Sequence, residues 1–367
     1  MAYRRAMEML VNRSPWHGRR VMVTGHTGFK GGWLALWLHQ LGAEVTGFAL
    51  APPSDPNLFE QARLADLVTH IHGDIRDAPA FDDALQAGRP EIVFHLAAQP
   101  LVRTSYATPV ETYATNVMGT VHVLDSARRL DGLAGLVCVT SDKCYDNREW
   151  DRPYRETDPM GGHDPYSSSK GAAELAIDSF RRSYFADGPL VASVRAGNVI
   201  GGGDWADDRL VPDIVRAMLG GEKPQIRAPQ SVRPWQHVLD ALSGYIAVAE
   251  RLLAGDRAAA TAWNFGPSDD DTQPVEWIVE QMLTAWGSDG WETPAGTHPH
   301  EAQLLKLDSA KARAELGWTP RLTLADALAK VVEWHKAVAT GTDPRVISLQ
   351  QLGDYAALDL PNQKAFA

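Results

Sequence analysis

The stretch from Arg20 to Gly42 constrains the fold of this chain more than any other. Arg20-Val21-Met22-Val23-Thr24 reads as a buried strand, and Gly25-His26-Thr27-Gly28-Phe29-Lys30-Gly31 follows it directly. Trp33, Leu34, Leu36, Trp37, Leu38 and Leu41 then give an apolar helix stripe that stops at Gly42. A strand, three glycines spaced by three and an amphipathic helix form the opening of a βαβ unit. In such a unit the glycines let backbone amides approach a pyrophosphate and the helix N-terminus offers partial positive charge. Three glycines also fit an ordinary tight turn, so the rest of the chain has to decide.

The rest of the chain continues the alternation. Strands are expected at Glu44–Leu50, Glu91–Ala98, Gly135–Thr140 and Pro189–Val199, with helices at Ala80–Ala87, Thr112–Arg129 and Ser167–Tyr184. This order predicts an α/β fold, a doubly wound parallel sheet of the Rossmann type. After Asn198 the pattern loosens. A short helix at Val211–Leu219, a short strand at Pro224–Ile226, a helix at Asp240–Leu253 and a returning strand at Thr261–Phe265 suggest a smaller C-terminal substrate domain interwoven with the first. The expected division is 15–190 plus about 239–266 for the dinucleotide domain and about 191–238 plus 267–347 for the substrate domain. The tail, 348–367, is poorly patterned and expected to be loosely ordered.

A formal net charge of −11 argues against nucleic acid or an acidic membrane surface as partner. No stretch of about twenty apolar residues is present and the N-terminus lacks an apolar signal core, so no membrane span or export is expected. Cys138 and Cys144 are the only cysteines, which excludes a disulfide framework and fits a reducing cytoplasm. His298-Pro299-His300-Glu301 has a metal-like look but no second cluster of ligands, so no metal is expected.

The chemistry concentrates in Thr140-Ser141-Asp142-Lys143 and in Tyr166-Ser167-Ser168-Ser169-Lys170. Tyr166 and Lys170 are four residues apart, one helical turn on one face. An ammonium beside a phenol favours the phenolate, which suits a base that takes a proton from a sugar hydroxyl. Asp142 and Lys143 end an apolar strand-like run, where open parallel sheets meet ligands. A solvated helix face and a solvated turn pair are the plainer readings of these two segments. Leu96-Ala97-Ala98-Gln99 places small residues at a strand end, and Asn116 is a polar residue in a helix that needs a partner if buried. Arg195, Asn198, Arg233 and His237 are candidates for a substrate diphosphate, because guanidinium forks suit phosphate. The end of the second strand, Ala49-Leu50-Ala51-Pro52-Pro53, carries no acid for a ribose and no arginine for a 2′-phosphate, which favours NAD over NADP. Asp74 either meets the adenine or forms a turn or cap.

These segments resemble the extended short-chain dehydrogenase/reductase family. The resemblance rests on Thr24-to-Gly31, His95-to-Gln99, Tyr166-to-Lys170 and Arg233-to-Val238, and runs from about residue 15 to about residue 345. Within the family the chain is most similar to the branch that dehydrates CDP-glucose. Gly25-to-Trp33, Ser141-to-Tyr145 and Gly197-to-Trp205 carry that narrower likeness. The resemblance implies that NAD is held by Gly25, Thr27, Gly28, Phe29, Lys30 and Gly31, then by Asp74, Ile75, Leu96, Ala97, Ala98, Asn116 and Thr140, with Tyr166 and Lys170 at the nicotinamide end. It implies a sugar nucleotide bound by Gln99, Ser105, Arg195, Asn198, Arg209, Arg233 and His237. The implied catalytic set is Ser141, Asp142, Lys143, Tyr166 and Lys170. Tyr166 takes the C4 hydroxyl proton, Lys143 the C5 proton, and Asp142 protonates the leaving C6 hydroxyl, while Ser141 bonds the C4 oxygen.

Two other functions share part of this set. A nucleotide-sugar 4-epimerase needs the glycine loop, Tyr166 and Lys170, but not Asp142 and Lys143. A non-catalytic NAD-binding regulator needs only the fold. The helices Thr112–Arg129 and Ser167–Tyr184 carry apolar faces that would pair with a twofold mate, so a homodimer is expected.

Overall fold

The computed structural model describes residues 14–268, 271–294 and 305–358. Seven strands form one parallel sheet in the order β3-β2-β1-β4-β5-β6-β9. They are β1 (Arg20–Thr24), β2 (Glu44–Ala49), β3 (Thr69–His72), β4 (Ile92–His95), β5 (Gly135–Val139), β6 (Leu190–Ala196) and, later in the chain, β9 (Ala262–Phe265). The order reverses between β1 and β4. That switch opens a crevice at the carboxyl ends of the strands, where doubly wound sheets bind ligands.

Helices cover both faces, which is why β4, β5 and β6 are buried at every residue. Helix α1 (Phe29–Gln40) lies on one face. The sequence suggests an amphipathic helix here, but Gly31 through Leu38 are all buried, because later segments pack over its outer side. Helices α2 (Ala78–Gly88), α3 (Gly119–Ala127) and α4 (Pro165–Tyr184) cover the other face, with Phe81, Leu124 and Ile177 in its core.

A second sheet orders three short strands as β10-β8-β7, namely β7 (Asn198–Ile200), β8 (Val232–His237) and β10 (Thr272–Pro274). With α5 (Leu210–Gly220), α7 (Val275–Trp286) and α8 (Leu324–Ala339) it forms a separate apolar core. Helix α6 (Val238–Leu253) returns the chain to the large sheet.

Four departures from expectation have local causes. The strand expected over Glu91–Ala98 ends at His95, because Leu96 and Ala97 turn their amides onto the Thr24 hydroxyl, each at 3.1 Å. The strand expected over Pro189–Val199 divides at Gly197, and its two parts join different sheets. The helix expected at Thr112–Arg129 starts earlier, at Pro109, and is widened over Ala114–Met118 into a π-turn that carries Asn116. The segment Pro224–Ile226 forms only a single bridge, between Gln225 and Glu292.

The expected loose tail also needs correction over its described part. Pro344–Ala357 is a helix, α9, capped by Asp343, with Leu352 and Tyr355 buried. The Tyr355 hydroxyl donates to Asp240 at 2.7 Å, which fastens α9 onto the start of α6. Residues 359–367 lie outside the described residues, as does the His298–Glu301 cluster.

Candidate active site

Two elements build the cofactor half of the crevice. Gly25 has φ +76, and a Cβ there would stand 2.8 Å from the Ala97 amide nitrogen, so the loop passes flush against the end of β4. Gly28 begins α1 and no side chain caps it. The first-turn amides therefore face the crevice without a side-chain acceptor, which suits a pyrophosphate. Thr27 closes the loop by donating to the Leu50 carbonyl at 2.9 Å. These features fit a dinucleotide running across Gly25–Gly31 and the small residues Ala97 and Ala98.

The residues expected to be catalytic lie at the end of β5 and the start of α4. Asp164 caps α4 by accepting from the Ser167 amide at 2.9 Å, and Pro165 enters at the first turn. Tyr166 and Lys170 consequently share the buried side of α4, 8% and 6% exposed. Opposite them the chain leaves β5 through a single turn of 3-10 helix, Asp142–Cys144. The Ser141 hydroxyl donates to Asp142 at 2.8 Å and accepts from the Lys143 amide at 3.2 Å. The Ser141 hydroxyl also lies beside the Tyr166 phenol and favours its ionised form. Asp142 is 6% exposed, Lys143 is half-buried, and Gly197 approaches so closely that a Cβ there would lie 3.1 Å from the Asp142 carboxylate. All five expected catalytic residues thus meet in one place.

Burial dominates the acid–base character of the site. It pushes the Asp142 carboxyl up, against the Lys143 charge and the Ser141 hydrogen bond. It pushes Tyr166 up to about 12, against the effect of the Ser141 hydroxyl, and Lys170 down to about 8. Burial thus opposes the acidity expected of the phenol beside Lys170. Lys30 is likewise pushed down to about 8 by burial and by the Arg209 and Lys170 cations.

The remaining expected ligands divide. Arg209 and Arg233 act on Tyr166 and Asp142, and Asn198 donates to the Pro234 carbonyl at 3.5 Å. Asn198 lies on β7 and Arg233 faces Asp142 from β8, while Arg209, paired with Asp204 at 3.0 Å, faces Tyr166. Arg195 does not join them. It is 2% exposed, and its guanidinium grips Glu174 through Nε and Nη2 at 2.8 and 2.7 Å. His237 is fully buried and caps α6 by accepting from the Leu239 amide at 3.3 Å, with burial pushing it down to about 3. Ser105 is fully buried and donates to the Val102 carbonyl at 2.6 Å. The substrate roles expected for these three are corrected on that ground.

Others hold the frame. The Gln99 amide bonds Leu101 and Thr112. Asn116 pins Gln99 to Ser169 of α4, which gives it the partners its burial requires. Asp74 is tied to Arg76 in the turn after β3, the turn-forming alternative, and Ile75 is buried beneath Gly119. The Thr140 hydroxyl donates to Glu174. Sequence reasoning missed Glu174, although its place one turn beyond Lys170 on the same helix face was readable. It also missed Asp204 and Tyr245, whose buried hydroxyl lies near Asp142 and Tyr166 without a partner of its own.

Residues 22–331 match the family model described as GDP-mannose 4,6 dehydratase. The chain belongs to the GDP-mannose 4,6-dehydratase family. Its fold places it among the extended short-chain dehydrogenase/reductases, as the motifs imply. The chain is 53% identical to the CDP-glucose 4,6-dehydratase of Salmonella typhimurium, over 94% of this chain and 98% of that one. It is 29% identical to the dTDP-glucose 4,6-dehydratase of Streptomyces antibioticus, over 86% and 92%. A solved dTDP-glucose 4,6-dehydratase from Streptomyces venezuelae with NAD bound superposes with TM-score 0.74 at 26% identity, covering 89% of this chain and 99% of that one. A UDP-glucose 4-epimerase from Thermotoga maritima shares the fold, with TM-score 0.77 at 22% identity over 87% and 99%. Among the described residues no helix is long and apolar enough to cross a membrane.

Proposed function

We propose that the protein is an NAD-dependent nucleotide-sugar 4,6-dehydratase that converts CDP-glucose to CDP-4-keto-6-deoxyglucose. The observation that carries this reading is the Asp142–Lys143 pair, set at the end of β5 beside Ser141 and Tyr166. An epimerase needs no second proton-transfer couple at that point, and a regulator needs no buried phenol. The 53% identity with a CDP-glucose dehydratase supports the nucleotide.

NAD, which the Gly25–Gly31 loop with Ala97 and Ala98 would hold, would supply the hydride acceptor for C4 and the hydride donor for C6. Tyr166 takes the C4 hydroxyl proton, and Ser141, beside that phenol, steadies the C4 oxygen. The ketone acidifies C5–H. Lys143 takes that proton, and Asp142 gives one to the departing C6 hydroxyl. Burial keeps Asp142 protonated to higher pH than an ordinary aspartate, which suits an acid. Asn198, Arg209 and Arg233 hold the nucleotide side. The exposed side chains Val110, Tyr113, Met118, Leu175 and Tyr184, on and beside the α3 and α4 layer, support a homodimer, and two buried unpaired thiols support a cytoplasmic setting.

The test is a panel of CDP-, UDP-, GDP- and dTDP-glucose read by mass spectrometry. CDP-glucose is expected to give a product lighter by one water. A product of unchanged mass would establish epimerisation, and inert substrates throughout would revive the regulator.

A further inference from the structure

The polar cluster behind the active site has no part in the chemistry above. Glu174 stands four residues after Lys170 and eight after Tyr166 on α4, so all three share one face of the helix. It is 4% exposed and accepts four hydrogen bonds. One comes from Thr140, the residue before Ser141. One comes from Ser193 at 2.8 Å, and two come from Arg195 at 2.8 and 2.7 Å, both residues of β6. Arg195 reaches further. Its Nη1 donates to the Tyr145 hydroxyl at 2.6 Å, and that hydroxyl donates to Asn264 of β9 at 2.8 Å. A single carboxylate therefore joins α4 to the ends of β5 and β6, and through Arg195 to β9.

We propose that Glu174 is a positioning residue which, with Arg195, fixes the helix bearing Tyr166 and Lys170 against the strand end bearing Ser141 and Asp142. The proposal deepens the dehydratase reading and rests on it for the identity of the reaction. A buried ion pair is often replaceable by apolar residues without loss of stability, so its presence is weak evidence of a stabilising role. Here it spans the two halves of the catalytic set, with Thr140 adjoining Ser141 in the chain and Lys170 one turn away.

Glu174 has a second effect on the same set. The titratable groups facing Lys170 are Cys138 on β5, Cys144 in the 3-10 turn, His95 on β4, Lys30 on α1 and Glu174 on its own helix. Burial pushes both thiols up, Cys138 to about 12, so they stay protonated, and it pushes His95 down to about 3, so it stays neutral. Burial also works against charge on Glu174, but Arg195 and the hydroxyl donors outweigh it and hold the carboxyl below its ordinary value. Glu174 is thus the ionised carboxylate of this set and favours the ammonium form of Lys170. Its removal leaves Arg195 uncompensated and lowers that preference further.

The test compares wild type with Glu174→Gln, Glu174→Asp and the apolar double variant Glu174→Leu with Arg195→Met, each as full-length enzyme with NAD. In Glu174→Gln we expect kcat per folded molecule to fall about 10- to 100-fold, the scale of a small misplacement, with KM for the sugar nucleotide changed less than about twofold. Lys170 titration is read without substrate, by competitive acetylation and peptide mass spectrometry, and its midpoint is expected at lower pH than in wild type. Glu174→Asp is expected to restore the midpoint but only part of kcat. The double variant is expected to fold and remain slow, which separates positioning from stability. Wild-type kcat and an unchanged Lys170 midpoint in Glu174→Gln, with only a lower Tm, would overturn the proposal. If wild type itself turns over no sugar nucleotide, the dehydratase reading falls, and the Lys170 titration still decides the role of Glu174.

Discussion

Two carboxylates serve this site from opposite sides, and their surroundings drive them in opposite directions. Glu174, behind the α4 layer, meets a guanidinium and two hydroxyl donors, which overcome burial and keep it ionised. Asp142, in the crevice, meets one hydroxyl and the charges of Lys143 and Arg233, and burial wins. The two are almost equally buried, at 4% and 6% exposed, so depth does not explain the difference. The number and charge of the donors does. One arrangement gives a fixed anion that holds structure. The other gives an acid with a proton to transfer.

Breaking the crevice side carries the largest effects. Tyr166→Phe removes the base and is expected to lower kcat about 10²- to 10⁴-fold while the enzyme stays folded, as circular dichroism and the rate of ketone formation would show together. Asp142→Asn keeps the shape of the acid but removes its proton. The first oxidation is then expected to proceed, so bound NADH accumulates, while water loss slows about 10²- to 10⁴-fold. Rapid-mixing absorbance at the NADH band separates these steps. Lys143→Ala is expected to stop exchange of C5–H with deuterated solvent, and exchange at the wild-type rate would remove Lys143 from its role as base.

Breaking the other side acts first on stability. Arg195→Met strands the Glu174 carboxylate in the interior and is expected to cost about 3–5 kcal/mol, measured by urea unfolding. Adding Glu174→Leu to it is expected to recover most of that loss. The pH dependence sharpens the same contrast. Glu174 has a lowered folded pKa, so its contribution is present above the ordinary glutamate value of about 4.3 and is lost as pH falls through the folded value. Asp142 has a raised folded pKa, so its contribution is present below the ordinary aspartate value of about 3.9 and is lost as pH rises through the folded value. Tm profiles are expected to lose slope on the acid side in Glu174→Gln and on the higher side in Asp142→Asn. The smallest effect tests the end of the chain. Tyr355→Phe removes the hydroxyl that holds Asp240, at an expected cost of about 1–3 kcal/mol.

The contrast also explains what could be read from the sequence. The large sheet was legible because β1, β4, β5 and β6 are buried on both faces and read as apolar runs. Edge strand β3, Thr-His-Ile-His, was not, since three of its four residues are exposed and polar. Strand β8 hid because Arg233-Pro234-Trp235-Gln236 shows neither alternation nor an apolar run. The five residues proposed as catalytic were legible because local spacing places them: Tyr166 and Lys170 by one helical turn, Ser141 to Lys143 by a strand end. Arg195 and His237 misled because a charge or a ring near a site looks the same in sequence whether it turns to the crevice or to the core. Their partners, Glu174 and the Leu239 amide, settle that only in three dimensions. For Tyr166 the neighbouring lysine is visible in the chain, whereas the depth of burial is not.

Isotope tracing tests the joint action of Tyr166, Lys143 and Asp142 most directly. CDP-glucose carrying deuterium at both C4 and C5 is converted in ordinary water and the product is read by NMR. Deuterium at C6 of a 4-keto product, with solvent hydrogen at C5, is the expected result. Deuterium still at C4 in a product of unchanged mass would contradict the account.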